Sequence, residues 1–313
     1  MIRYLVRRLL FSVPTLLAVL TVVFVLVRIV PGDPAQTILG DQASQQALES
    51  LRHRLGLDKP IHEQYVDFLK SAVLGDWGNS MVSGKPVMVE VANVLPYTID
   101  LTVSALVLGV AIGMPLGAWS ALRRNTWADY VTRIGSLLGL SFPAFVSGIM
   151  LLLAFAIHFR WFPVIGGGRL DDWPSRINSL VLPSINLALI MAAYITRVTR
   201  SSMLQVLGED FMRTARAKGV PRRALIWRHA LRNALIPVIT VVGLYLGILI
   251  GNSVLTEIVF NRPGLGKLIV GALNQRDYTM LQGLMVIYAF IIVLVNLATD
   301  LTYGLVDPRV KYQ

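Results

Sequence analysis

The sequence predicts an all-α membrane protein with six transmembrane helices, on the basis of its composition and of the spacing of its charges. Of the 313 residues, 55% are hydrophobic and only 15% are charged, which is far too apolar for a soluble globular domain. Six runs contain no Asp, Glu, Lys or Arg, and each is near or above the roughly 20 residues that a helix needs to cross a bilayer. These runs are residues 9–27, 101–122, 134–159, 177–196, 233–256 and 278–299.

The first run is expected to be a retained span. Arg3, Arg7 and Arg8 precede it, as in a secretory signal, but it is longer than the usual apolar core of about 7–15 residues and no small-residue cleavage site follows. Those arginines share one side of the membrane with residues 123–133, which include Arg123, Arg124 and Arg133, and with the basic residues between the fourth and fifth runs. The positive-inside rule makes that side cytoplasmic, so both termini are expected to be cytoplasmic.

The segment between the first and second runs is expected to lie on the opposite side of the membrane. Apolar residues recur there at helical spacing before Gly56 and again after Pro60, which predicts two short amphipathic helices. The recurring residues are Leu48, Leu51, Leu55, Ile61, Tyr65, Phe68 and Leu69.

The most polar stretch, residues 209–233, separates the fourth and fifth runs. Residues 197–232 contain nine basic side chains and two acidic ones, and contribute +7 of the formal net charge of +11. Helix formers from Phe211 to Lys218 precede Gly219, which suits a left-handed helix end, and Pro221 suits the start of a new helix. A short, bent helical element outside the bilayer is predicted.

Three interpretations of this stretch are open. Its arginines fix topology and touch anionic lipid, or bind nucleic acid, or dock a soluble partner. Nucleic-acid binding is disfavoured, because the basic patch is short and is flanked by membrane spans.

The residues 214–219, reading TARAKG, and 228–237, reading RHALRNALIP, resemble the cytoplasmic coupling loop of ABC importer permeases. They are most similar to the dipeptide, oligopeptide, nickel and glutathione permease family. Where the wider superfamily has Glu-Ala-Ala, this chain has Arg213, Thr214 and Ala215, and His229 and Arg232 replace its Ile and Pro. The resemblance implies that an ATPase docks on this loop, through the residues Arg213, Thr214, Ala215, Arg216, Ala217, Lys218, Gly219 and His229.

Shorter motifs extend the resemblance over nearly the whole chain. They lie at residues 32–35, 75–80, 141–144, 261–267 and 307–309. Membership would imply a type I importer fold in the bacterial inner membrane. Its partners would be a second related permease, two cytoplasmic ATPases, an extracytoplasmic binding protein and membrane lipid, with no nucleic acid. Under that interpretation residues 1–30 form the cytoplasmic end and first helix, 31–95 the extracytoplasmic segment, 96–308 the permease core with its loop 197–232, and 309–313 a tail.

No catalytic or metal-binding pattern is found in the sequence. The chain has no cysteine, its four histidines lack metal-ligand spacing, and no phosphate-binding Gly-x-x-x-x-Gly-Lys-Ser/Thr loop is present. The chain is therefore expected not to be an enzyme and to hold no cofactor or metal, with ATP bound by partner subunits.

Glycines recur every four residues in two of the predicted spans, which brings helix backbones close together. They are Gly109, Gly113 and Gly117 in the second run and Gly243, Gly247 and Gly251 in the fifth. Packing within this chain, contact with a partner permease and lining of a translocation path all remain open. Tyr245, Asn252 and Ser253 are the residues predicted to line that path.

An ion-coupled secondary transporter is the alternative function. Such proteins place carboxylates or histidines within their spans, and the cores of all six runs have none, with Asp100 and Asp300 at run edges. For an importer, the resemblance suggests short peptides as substrates, then glutathione, then nickel chelates.

Overall fold

The computed structural model describes residues 2–29, 34–39, 43–54, 56–164 and 166–306, and almost all of them are helical. The helices are α1 Ile2–Ile29, α2 Pro34–Leu39, α3 Gln45–Arg54, α4 Ile61–Leu74, α5 Val87–Leu122, α6 Trp127–Ser141, α7 Ala144–Leu151, α8 Trp173–Gly208, α9 Asp210–Ala217, α10 Arg222–Ala224, α11 Arg232–Val259, α12 Leu265–Asn274 and α13 Tyr278–Val306. Two π-helical turns, Leu152–His158 and Leu225–Leu231, continue α7 and α10. The described part contains no strand, only one isolated bridge between Asn79 and Pro86.

Five helices are long and apolar enough to cross a membrane, and a bent pair of helices makes up to six. The five spans are Leu10–Val27, Val87–Leu122, Trp173–Gly208, Arg222–Val259 and Tyr278–Thr299. The predicted all-α membrane fold is therefore confirmed, and the number of spans agrees with the predicted six when the bent pair counts as one. Outside the described part lie the predicted turn at residues 32–33, the motif at 307–309 and the side chains of Arg3, Arg7, Arg8 and Asp300.

The third predicted span is not one continuous helix. Residues 134–159 are divided between α6 and α7 with its π-helical turn, and the two parts are bent by 103°. Phe142 has extended backbone angles, φ −80° and ψ 128°, because the residue before a proline is disfavoured from the helical region and Pro143 follows it. Residues 134–159 were predicted as one membrane helix, and the structure divides them into two helices at Pro143.

Two of the other membrane helices are much longer than their charge-free runs. Both α5 and α8 contain 36 residues, and they carry Asp100, Arg176 and Arg200 beyond or at the ends of those runs. Helix α5 begins at Val87, within the segment 31–95 predicted to be extracytoplasmic. The division of the chain into the predicted regions stays a prediction.

The chain forms two compact units, of which the smaller comprises Val6–Pro96 and Gly264–Leu294. The predicted amphipathic helices α3 and α4 belong to it, and Phe68 and Ala72 of α4 pack with Phe24 of α1. Asp277 is almost fully buried and accepts hydrogen bonds from the Ser80 hydroxyl and from the backbone N–H groups of Met81 and Met280. The carboxylate thereby ties the motif at residues 75–80 to the start of α13.

The larger unit comprises Met1–Leu5, Tyr97–Pro263 and Val295–Gln313. Its main core contains Leu101 and Ala105 of α5, Met191 and Ile195 of α8, and Leu249 of α11. The polar segment between α8 and α11 belongs to this unit.

Candidate coupling site

Helix α9 ends in the turn predicted from the sequence. Gly219 has a φ of +75°, a left-handed angle that side chains with a Cβ rarely adopt. The N–H of Val220 donates to the Ala215 carbonyl at 3.2 Å, and the N–H of Gly219 donates to the Arg216 carbonyl at 3.0 Å. This pair of bonds is a Schellman motif, which satisfies carbonyls that the helix end leaves without partners. Pro221 follows with an extended ψ of 144° and precedes α10.

One buried side chain anchors α9 to the membrane helices. Met212 is 1% exposed and belongs to a hydrophobic cluster with Met203 of α8, Ala121 of α5, and Leu225 and Ala230 of the second π-helical turn. Burying a methionine side chain fully contributes on the order of 1.5–3 kcal/mol. Displacement of α9 would therefore be transmitted to the ends of α5 and α8.

The residues predicted to contact an ATPase divide into an exposed set and a half-buried set. Ala215 and His229 are half-buried, and the His229 carbonyl accepts a hydrogen bond from the Asn233 side chain at 2.7 Å. The exposed members are Arg213, Thr214, Arg216, Ala217, Lys218 and Gly219. The structure thus brings the predicted residues together, while their contact with an ATPase stays a prediction.

Two exposed aromatic residues join this surface, and sequence reasoning did not assign them to it. Phe211 is 43% exposed and Trp227 is 65% exposed. Large aromatic side chains that remain exposed are enriched where proteins bind partners. Their position in a segment dominated by arginine is the signal from which they could have been found.

A buried ion pair holds the helix ends beside this segment. Asp129 of α6 is fully buried, and Arg200 of α8 donates to its carboxylate at 2.6 and 2.8 Å. The Ser120 hydroxyl donates to the same carboxylate at 2.6 Å, and the Asn125 N–H donates at 3.0 Å. Four donors satisfy the buried charge, which links the end of α5 and the start of α6 to α8.

The glycines of the second predicted span pack against α8 within this chain. A Cβ on Gly109 would lie 2.8 Å from Met191, and one on Gly117 would lie 2.5 Å from the Thr196 carbonyl oxygen. At Gly113 the nearest atom would be the Ala192 carbonyl oxygen, at 2.7 Å. The Thr196 hydroxyl also donates to the Gly113 carbonyl at 3.2 Å.

The glycines of the fifth predicted span differ from one another. A Cβ on Gly243 would collide with Thr299 of α13, whose hydroxyl donates to the Gly243 carbonyl at 3.2 Å. Gly247 is near Asn296, at an ordinary contact distance of 3.4 Å. Gly251 is exposed and has no atom within 4 Å of such a Cβ. Packing within the chain therefore explains Gly243 and leaves Gly251 open to a partner or a path.

The residues predicted to line a path do not share one environment. Tyr245 is half-buried, and its ring centroid lies 4.7 Å from that of Tyr194. Asn252 is half-buried, whereas Ser253 is fully buried and its hydroxyl donates to the Ile250 carbonyl of its own helix. Lining of a path by these residues stays a prediction, and the burial of Ser253 gives it the least support.

Further buried polar groups had no signal in the sequence pattern. Asn186 of α8 is fully buried at the break between α6 and α7, where its amide donates to the Ala144 carbonyl at 3.1 Å and accepts from the Ser147 hydroxyl at 2.7 Å. Asn186 thus fixes the start of α7 after the break.

Arg262, just after α11, is also fully buried. Its guanidinium lies 5.3 Å from the Tyr97 ring centroid and 3.7 Å from the Asp100 carboxylate. Burial lowers the pKa of Arg262, and the nearby carboxylate charges of Asp100 and Glu257 partly oppose this. Asp100 itself is held by two hydrogen bonds from Arg176, at 2.7 and 2.8 Å.

Within the described residues, no group of three or more His, Cys, Asp or Glu side chains has a geometry that would hold a metal.

Two family models together match almost the whole chain. Residues 113–312 match the inner membrane component of binding-protein-dependent transport systems, and residues 1–102 match the N-terminal region of the membrane component of such systems. The glutathione transport system permease protein GsiC of Escherichia coli (strain K12) is 41% identical over 313 residues, which is 100% of both chains. GsiC of Salmonella choleraesuis (strain SC-B67) is also 41% identical over the same full length.

The chain belongs to this family. It is a permease subunit of a binding-protein-dependent ABC importer and is not an enzyme, because ATP hydrolysis in such systems belongs to partner subunits. The alternative of a self-contained secondary transporter is therefore set aside. Membership also implies, in general terms, a multi-pass location in the inner membrane and an assembly with permease, ATPase and substrate-binding subunits.

Solved structures agree on the fold of the permease. A chain of the MetNI methionine ABC transporter, in an inward-facing form, matches with a TM-score of 0.59 and 18% identity, covering 70% of this chain and 97% of its own. A chain of an amino acid ABC transporter matches with a TM-score of 0.54 and 15% identity, covering 69% and 94%. At these identities the likeness concerns the fold alone.

Proposed function

We propose that this permease carries glutathione or short peptides across the inner membrane, forming the path with a second related permease. The full-length similarity to glutathione permeases favours glutathione. The resemblance of the sequence motifs to those of the dipeptide and oligopeptide permease family favours short peptides. Specificity in this arrangement begins with the extracytoplasmic binding protein, which selects the cargo before it reaches the permease.

We propose that one ATPase binds helix α9. The observation that carries this proposal is the combination of a buried Met212 with the exposed side chains of Arg213 and Arg216 on the helix and of Lys218 directly after it. A helix fixed on one side and exposed on the other acts as a rigid lever when a partner moves it. Closure of the ATPases would then bias an equilibrium between two states of the permease.

The proposed orientation places α9 and both termini in the cytoplasm. The basic residues between α5 and α6 and those between α8 and α11 support it through the positive-inside rule. The segment from α2 to α4 would then lie on the outer face, where a substrate-binding protein delivers its cargo.

Purification of the tagged permease from its own membranes in mild detergent tests the proposal. Mass spectrometry is expected to identify a second permease and two ATPase subunits, which are either two different proteins or two copies of one. The reconstituted complex is expected to hydrolyse ATP faster when the co-encoded binding protein is supplied with glutathione or a dipeptide than when it is supplied empty. Recovery of the chain without any ATPase, in several detergents, would contradict the proposed assembly. An assembled complex stimulated by neither solute would contradict only the proposed substrate.

A further inference from the structure

A groove between α6 and α8 has the mixed chemistry of a site for a charged amphiphile. It encloses about 310 Å³ within the larger unit. Leu137 and Leu140 provide apolar walls, Ser136 and Ser201 provide hydroxyl groups, and Arg133 and Arg197 provide positive charge. None of these six residues belongs to the surface proposed to contact an ATPase.

The two arginines are positioned to bind an anion. The Arg133 guanidinium lies 6.0 Å from the Tyr130 ring centroid, and that of Arg197 lies 5.3 Å from the Tyr194 centroid. A guanidinium supported on its face by a ring keeps the N–H donors of its edge available. Both arginines are exposed, and in the parts of the chain that the structure covers neither forms an ion pair with a carboxylate.

A third arginine of the groove is already neutralised. The charge of Arg200 is compensated by its two hydrogen bonds to the buried Asp129. The groove therefore keeps a net positive charge from Arg133 and Arg197. A zwitterionic headgroup would leave that charge uncompensated, whereas a headgroup with net negative charge would balance part of it.

The surface next to the groove is suited to hydrocarbon. Ile134, Leu137 and Leu138 of α6 are 54%, 57% and 54% exposed. An exposed apolar helix face that meets arginines at one end is typical of a helix at a membrane interface. A free hydrophilic anion would gain nothing from this face, but an acyl chain would.

We propose that the groove binds one anionic phospholipid, with its phosphate between Arg133 and Arg197 and an acyl chain along the exposed face of α6. The site does not depend on which solute the importer carries or on how α9 meets an ATPase. Basic pockets between membrane helices bind acidic headgroups by the same chemistry.

Native mass spectrometry of the intact importer tests the proposal. The complex is purified in the presence of equal amounts of phosphatidylglycerol and phosphatidylethanolamine. We expect the wild-type complex to retain phosphatidylglycerol preferentially. The double substitution Arg133→Gln/Arg197→Gln is expected to lower its retention by about 30-fold, as the loss of two interfacial cations implies. Arg123→Gln/Arg124→Gln, which removes the same charge from exposed residues outside the groove, is the matched control and is expected to retain the lipid.

Three results would overturn the proposal. Equal retention of the two lipids would show that the groove does not select a negatively charged headgroup. Unchanged retention of phosphatidylglycerol in the double variant would show that the lipid binds elsewhere. Release of phosphatidylglycerol by millimolar glutathione would assign the groove to the transported solute.

A second measurement covers the case in which the double variant fails to assemble. A photo-reactive phenylalanine analogue introduced at Leu140 in cells is expected to cross-link to phospholipid. Cross-linking to the second permease instead would show that a protein surface covers the groove, and would overturn the proposal.

Discussion

At Gly219 the backbone conformation alone is what excludes other residues. A Cβ built there meets no atom within 4 Å, so space is not limiting, but the φ of +75° is left-handed. That conformation costs an ordinary residue about 1–2 kcal/mol, and a β-branched side chain is among the least tolerant. Asparagine adopts it more readily than other residues.

Substitution Gly219→Val is expected to uncouple ATP hydrolysis from uptake while the complex still assembles. The strain would shift the end of α9 away from the arrangement that Met212 anchors, and about tenfold less solute would be taken up per ATP hydrolysed. Transport by the reconstituted importer provides the measurement. Gly219→Asn should transport nearly normally, and so should Gly208→Val, whose glycine has neither a positive φ nor a close neighbour. Normal uptake by Gly219→Val would contradict the role of this turn.

Residues with local roles were predictable from the sequence, and residues with distant partners were not. The turn at Gly219 follows from helix formers, a glycine and a proline that are adjacent in the chain. Asp129 and Arg200, by contrast, meet only because α6 and α8 pack together. No periodicity in the sequence marks that pair, nor the contacts of Asn186 with the break.

At the scale of helices, the glycine repeats distinguish contacts inside this chain from surfaces left for others. Gly117 faces the backbone of α8, where a carbonyl oxygen cannot rotate away as a flexible side chain can. Gly251 has the same spacing in sequence but faces open space. The spacing therefore predicted close packing but not which helix the glycines pack against. All three glycines of the α5 repeat pack on α8, whereas those of the α11 repeat do not share one neighbour.

Gly117→Ala is expected to destabilise the permease itself, whereas Gly251→Ala is not. Overpacking of this kind costs typically about 1–3 kcal/mol, which corresponds to a melting midpoint lower by about 2–5 °C for a chain of this size. Thermal denaturation followed by size-exclusion chromatography in detergent measures it. If Gly251→Ala leaves the midpoint unchanged but lowers recovery of the second permease, Gly251 lies at the contact between permeases. Equal stability of Gly117→Ala and wild type would contradict the close approach of α5 and α8.

For the whole molecule, hydropathy predicted the class of fold. It also predicted six spans, which is the number found when the bent pair counts as one, but it did not predict the bend within the third span. A run of residues without charges indicates that the segment can lie in the hydrocarbon core of the membrane. It does not indicate whether the helix continues without a break. Pro143 was visible in the sequence, yet many membrane helices accommodate a proline with only a kink. Here Asn186 stabilises the 103° bend, since it bonds the backbone and a side chain just after the proline.

The absence of cysteine makes the path of the chain through the membrane directly measurable, because a single introduced cysteine has no background. We expect Lys70→Cys, Arg169→Cys and Arg276→Cys to react with a membrane-impermeant maleimide in spheroplasts, since the proposed orientation places all three outside. Arg124→Cys and Arg216→Cys should react only after permeabilisation.

The pair Arg124 and Arg169 decides whether the bent helices count as one crossing, because the bent pair is all that separates these residues along the membrane path. Labelling on opposite sides means that α6 and α7 together traverse the bilayer and that the permease has six crossings. Labelling on the same side would make the pair re-entrant and leave five crossings. With five crossings the two termini would lie on opposite sides of the membrane. If Arg216 is still cytoplasmic, the N-terminus would then lie outside and the segment from α2 to α4 would lie in the cytoplasm. Labelling of Lys70 from the outside in that same experiment would exclude the reversal, because α1 alone separates it from the N-terminus.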